Sequence, residues 1–383
     1  PPQLLLSSFS LCSQYSPGRI HLINLQMVNL KLYILLVMIA LASCGPENTG
    51  NQETENKAAT LEHIRDFKLT GYPSEAISRT KDVFHIFPDQ SSFIVTNFDN
   101  VFLSLFDTSG VYITHFGDEG RGPTELLTTA RVGFDQDQNI FVYDGNQDQI
   151  KSFNRDGSFI DVYAGVVEHQ IWPRGDVLIM VDNYWYMPAE VAGERDYSNK
   201  QSLTRMNHDF SNPQTGGGWD SFYRNRNTIL QQPQLAYDQK REQFIVVHRT
   251  SPNIRLANSD LEVIETWHHS SPNFLLHEED ILRSHPPEQR EEIVGQISLI
   301  EQPFIADDLL LFQFMNQNET FRESLDFSDL EQFIGVYSLE DGTYHGEIEL
   351  PYRLKGVMNN RLMLLKDDNP DNFVIGLYEI ELN

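Results

Sequence analysis

Cysteine is nearly missing from this chain: its 383 residues contain two, Cys12 and Cys44. Everything after residue 44 is therefore without a disulfide or a thiol nucleophile, and must be stabilised by packing. Basic residues are scarce as well, with 28 Lys plus Arg against 55 Asp plus Glu and a formal net charge of −27. A nucleic-acid partner demands a basic surface, so that class is excluded, and adsorption onto anionic lipid headgroups is disfavoured. The acidity serves solubility. Long apolar runs are absent: Leu32 to Ala42 is too short to cross a bilayer as a helix. Helical periodicity is almost absent. Catalytic signatures are missing too, with no HExxH and no GxSxG. His268 and His269 are adjacent, and His277 and His285 stand eight apart, so the histidines do not converge on a metal. The abundance of acids makes chance carboxylate pairs common, and none is nominated as an acid/base couple. No metal site and no cofactor is expected.

What is present begins at Met27. Lys31, the apolar run and the small residues Ala42-Ser43 form the layout of a secretory signal over residues 27–44. The ending Leu41-Ala42-Ser43-Cys44 resembles the lipobox of bacterial lipoproteins. In that family the cysteine becomes the first mature residue and carries acyl chains, which implies lipid attachment at Cys44. Several acyl chains on one residue anchor stably where a single chain is marginal. Gly45 stands where an inner-membrane retention Asp would, which favours the outer membrane. Residues 1–26 precede the first Met and read as translated upstream sequence foreign to the product. Residues 45–60 are polar and lack large apolar side chains, and read as a flexible tether.

From residue 61 the pattern is period-two alternation interrupted by Gly, Asn and Asp. The 24 Phe and 15 Tyr suit strands. "GFDQDQNIFVYDGNQDQIKSFNRDGSFIDVYAG", 133–165, lays out strands separated by three turns, and 82–117 repeats the plan. Turns ending at Gly110 and Gly157 place the repeat near the 40–50 residues of a four-stranded propeller blade. Four further units follow, and the last lacks an outer strand. A spare strand at 61–70 is free to fill that place and close the ring. The expectation is an all-β fold over 61–383: a six-bladed β-propeller of four-stranded blades closed by an N-terminal strand. An insertion at about 271–300 should carry one or two short helices, with Asn273 or Ser271 as a cap.

"GRGPTE" followed by "GFDQDQNIFVYDGNQDQIKSFNRDGSFI" resembles the NHL-type repeat. More closely, it is similar to the six-bladed propeller lipoproteins of Bacteroidota, whose G-x-G-P-x-E stretch is matched by Gly120, Gly122, Pro123 and Glu125. The resemblance implies the fold and the lipobox–tether–propeller layout. It implies little about activity.

The glycine cluster at 117–122 is not read as a phosphate loop, because Pro123-Thr124 stands where a Walker loop has Lys-Ser/Thr and the chain continues as strand. It is read as a blade-to-blade crossover. In a propeller, crossovers share a face with the loops between second and third strands. That face should gather Arg121, the "DGNQDQ" residues Asp144, Asn146 and Asp148, and a loop at 182–201 opening with Asp182, Tyr184, Trp185 and Tyr186. Those aromatics would stack on sugar rings or anchor a partner. Turn chemistry accounts for the Asp and Asn residues without calcium, since Gly and Glu are missing from the sixth and twelfth positions. The expected function is a lipid-anchored, monomeric envelope module binding a protein, peptide or glycan. The alternative is a metal-dependent propeller enzyme of lyase or lactonase type, with Asp, Asn or His ligands in the central channel.

Overall fold

The computed structural model describes residues 59–383 apart from 75, 78–83, 98–100, 129–130, 167–168, 170, 176, 192–196, 227–229, 277–280, 283 and 325–328. The upstream, signal and tether readings of residues 1–58, Cys44 included, lie outside the described residues, as does His277.

Six antiparallel sheets follow one another in chain order, each ordered from an inner to an outer strand. Blade 1 is His85–Ile86, Ser92–Val95, Leu103–Asp107 and Tyr112–Phe116. Blade 2 is Arg131–Phe134, Ile140–Asp144, Gln149–Phe153 and Phe159–Ala164. Blade 3 has its inner strand in two pieces, Ile171–Pro173 and Ile179–Val181, then Tyr184–Val191, Leu203–Asn207 and Gln214–Gly216. Blade 4 is Pro233–Asp238, Gln243–His248, Asn253–Ala257 and Val263–His268. Blade 5 also splits its inner strand, into Ser298–Ile300 and Phe304–Ala306, followed by Leu309–Asn316, Glu331–Ser338 and Tyr344–Leu350. Blade 6 is Arg353–Met358, Arg361–Asp367 and Val374–Leu382, and Ala59–Lys68 takes its outer place, paired antiparallel with Val374–Leu382.

Second strands such as Ile140–Asp144 and Gln243–His248 are buried on both faces, which is why the sequence there is apolar at successive positions rather than alternating. One cluster packs Phe87, Ile94 and Leu105 of blade 1 against Val132, Ile140 and Val142 of blade 2. Another packs Ile245 and Val247 of blade 4 against Leu310, Phe312 and Phe314 of blade 5. The inner strands approach closely enough that a Cβ on Gly133 would meet the Leu178 carbonyl oxygen at 2.4 Å. A bridge between Val132 and Val177 marks this contact.

In the 271–300 insertion the helix is Pro287–Val294, and no side chain caps it. Proline at the first helical position carries no N–H that needs a partner, so "HPPEQ" starts the helix itself. Ser271 accepts a hydrogen bond from the Asn273 amide in a turn, and neither residue caps a helix. A second short helix, Glu319–Ser324, sits between the second and third strands of blade 5.

Strand direction sorts the connections onto two faces. The turns at 87–91, 135–139, 182–183, 239–242, 307–308 and 359–360 join inner to second strands and lie on one face. The opposite face carries the crossovers, such as those that begin at 117–128 and 217–226, and the loops between second and third strands.

Candidate functional site

The crossover after blade 1 is closed upon itself. Gly120 N–H donates to Leu126 O (3.0 Å) and Leu126 N–H to Asp118 O (2.8 Å). The Glu125 carboxylate accepts Gly122 N–H at 2.7 Å. From beneath, the fully buried Lys151 donates to Gly122 O (2.9 Å) and to Glu125 O. Burial pushes the Lys151 ammonium pKa down, against the pull of Asp144 and Glu125. Asp144 is buried and accepts the Leu127 amide at 2.7 Å and the Asn146 and Gln147 amides. Asn146 reaches Leu127 O, and Asp148 accepts Tyr143 OH and the Val166 amide. The structure thus brings Arg121, Asp144, Asn146 and Asp148 into one loop cluster. The two aspartates brace that cluster, and Arg121 is exposed on its rim.

Asp182, Tyr184, Trp185 and Tyr186 do not join them. Asp182 and Asn183, both at positive φ (49° and 67°), form a two-residue hairpin turn on the opposite face. Residues 184–186 open a strand rather than a loop. Trp185 and Tyr186 point to opposite sides of that strand and are buried between blades. Trp185 stacks on Phe210 (5.3 Å between centroids) and donates to His208 O; Tyr186 lies 4.4 Å from Phe244 and donates to Ser259 O. Tyr184 stays part-exposed, with the Arg205 guanidinium over its ring at 5.1 Å. The turn needs φ > 0 at both central residues, which Asp-Asn tolerates, and the alternating aromatics that follow are a strand pattern.

Inner strands run from the long-loop face inward, so their first residues surround the mouth of the channel. Arg131 donates to Arg174 O at 3.1 Å and lies over the Tyr143 ring. Arg174 pairs with Glu190 at 2.8 Å and sits 5.7 Å from the ring centre of Trp172. Trp172 is 44% exposed, unusual for an indole. Lys200 meets Glu190 at 3.5 Å, and Arg353 meets Glu301 at 3.2 Å. Arg131 of blade 2 thus meets Arg174 and the exposed Trp172 region of blade 3, and Arg353 stands separately at the start of the blade 6 inner strand, paired with blade 5, in an acidic protein. Sequence reasoning did not single them out. The available signal was proline beside a strand pattern, in "IWPRG" and "EQPF", which interrupts the inner strand and lets polar residues leave the ladder.

Farther along the channel is a cavity of about 250 Å³ lined by residues of all six inner strands. Its walls are mostly apolar, and of the Asp, Asn and His ligands that the expected alternative calls for, His85 is the one among the described lining residues. Among the described residues no three His, Cys, Asp or Glu side chains group as a metal site.

A second polar cluster is buried between blades 3 and 4. Asp220 accepts from Phe222 N–H, Ser251 Oγ–H (2.6 Å) and Asn253 Nδ2–H (2.7 Å), and lies 3.9 Å from His248 Nδ1. Ser251 bonds the carboxylate rather than the imidazole, so this is not the relay of a serine nucleophile. Burial lowers the His248 pKa to about 3, with Arg255 and Lys200 assisting and Asp220 opposing.

The family model described as a 6-bladed beta-propeller matches residues 80–235. A DUF4221-family protein of Bacteroides vulgatus is similar in structure, with a TM-score of 0.68 and 12% identity, covering 86% of this chain and all of that one. A Bacteroides fragilis protein inferred to be exported gives a TM-score of 0.58 and 13% identity, over 84% of this chain and 95% of that one. At these identities the likeness is one of fold. No curated protein matches the sequence. The protein is a six-bladed, all-β propeller with four-stranded blades.

Proposed function

We propose that this is an exported, lipid-anchored binding module, which presents its long-loop face to a protein, peptide or glycan of the cell envelope. Export and lipid attachment rest on the residues around Cys44. Binding at the long-loop face rests on one observation above others: Trp172 is exposed beside Arg174 at the channel mouth, where crossovers and long loops from every blade gather. Tryptophan and arginine are the side chains that most often dominate binding energy, and a rigid ring of sheets positions them at little entropic cost. Arg121 stands on the rim of the same face.

The test is capture of partners from envelope extracts and on arrayed glycans. Trp172→Ala with Arg174→Ala should weaken capture by about tenfold or more while leaving the melting temperature within a few degrees. Undiminished capture by the double variant would move the binding surface elsewhere.

A further inference from the structure

Resting on the long-loop reading, we propose that the partner of that face is an acidic glycan, bearing carboxylate or sulfate groups, which lies along blade 3 and the crossover to blade 4. Four aromatic–cation pairs stand in this sector. Arg174 lies 5.7 Å from the ring centre of Trp172, Lys200 4.9 Å from that of Trp219, Arg224 5.8 Å from that of Tyr197, and Arg226 4.4 Å from that of Phe222. Polar contacts join them into one surface. Glu190 meets Arg174 at 2.8 Å and Lys200 at 3.5 Å, and Tyr197 OH donates to Trp219 O at 2.9 Å. Gln231 accepts from both Lys200 and the Trp219 indole. Tyr197 and Lys200 come from the loop between the second and third strands, and Trp219 to Arg226 from the crossover, so both segments arrive on the long-loop face. Trp219 is buried beneath them, while Trp172 and Arg224 are exposed.

Charge names the ligand. Among the described residues of this surface, Arg174, Lys200, Arg224 and Arg226 stand against two carboxylates, Glu190 and Asp220. Asp220 is fully buried and already accepts from Ser251 and Asn253, and Glu190 is shared by two of the cations. Arg224 has its ring contact and no ion pair among the described residues. The chain as a whole carries −27, but at physiological salt charges beyond about 8 Å are largely screened, so the nearby cations decide what binds. A guanidinium stacked on a ring is held in place, and its N–H edge stays available to grip a carboxylate or sulfate in pairs. Trp172 separates a sugar from an acidic peptide. Its exposed indole face beside Arg174 matches the C–H face of a pyranose ring whose acid group reaches the cation.

The probes for titration are a galacturonate oligomer, its methyl ester, heparin and polyglutamate. The ester keeps the sugar rings without the charge, heparin offers sulfate, and polyglutamate keeps the charge without the rings. At least one acidic glycan should bind about tenfold or more tightly than both the ester and polyglutamate, and should weaken as salt rises. Arg224→Gln should weaken that glycan about threefold and make its salt dependence shallower. Trp172→Ala should weaken it about tenfold and leave the salt dependence unchanged. Both side chains are exposed, and an unchanged melting temperature confirms that the variants fold. No binding of either acidic glycan overturns the proposal. So does an ester or a polyglutamate that binds as tightly, and so does binding that neither substitution weakens. If neither glycan binds but Trp172→Ala with Arg174→Ala still abolishes capture from envelope extracts, the long-loop reading stands and the acidic glycan falls. If capture is also undiminished, both fall.

Discussion

An ammonium group can be buried at Lys151 because two carbonyls of the crossover accept its protons and Asp144 and Glu125 lie close by. This arrangement explains the glycine cluster better than anion binding does. The amides of Gly120, Gly122 and Leu126 all donate within the loop, to Leu126 O, the Glu125 carboxylate and Asp118 O. None of these three is left to face a phosphate. A Cβ on Gly120 would meet the Glu125 carboxylate at 2.0 Å and push it from the place where it accepts the Gly122 amide. At His248 burial acts on a proton. The folded ring holds its proton only below about pH 3, whereas an unfolded histidine takes one near 6.5. The unfolded chain therefore binds the extra proton between those values, and stability falls as pH drops from 6.5 toward 3. Comparing urea midpoints across that window, His248→Phe, which retains a ring between Trp219 and Tyr223, should flatten the slope by up to one proton. An unchanged slope would show that His248 is protonated in the folded state.

Whole blades were legible in the sequence where turns are chemically explicit. Asp135 binds both the amide and the side chain of Asn139, and Asp156 binds Ser158, so "DQDQN" and "DGS" mark corners by local bonds alone. The aromatic run after Asp182 misled because exposure was inferred from loop length. Trp185 and Tyr186 are instead set by their strand's alternation and by Phe210 and Phe244, neighbours remote in sequence. The channel mouth was illegible for a similar reason: Arg131 and Arg174 are far apart in the chain and meet only once blades 2 and 3 stand side by side. Ala59–Lys68 presents its own expectation. Phe67 is buried against Phe93 of blade 1. Phe67→Ala should cost about 3 kcal/mol in chemical denaturation, the lower end for a large core truncation. A cost under about 1 kcal/mol would mean the strand contributes little to closure.

For the molecule as a whole, a charge of −27 disfavours adsorption onto anionic lipid, and the proposed function places attachment on covalent lipid at Cys44 instead. Cys44→Ser should therefore shift the protein expressed in a bacterial envelope from the detergent phase to the aqueous phase in a cloud-point partition. A wild type found only in the aqueous phase would remove the anchor from the proposed function. The six sheets give the long loops a common, stiff base, and the chain reaches that base through the outer strand of blade 6. Ala59 lies at the short-turn end of this strand, beside Leu382, and Lys68 at the long-loop end. The direction has a mechanical consequence. Tension applied to the N-terminal side along the strand loads nine paired positions at once, in shear. The same tension applied sideways separates Ala59 from Leu382 first and opens the pairs one after another. A propeller held from this end resists axial pulling far better than peeling.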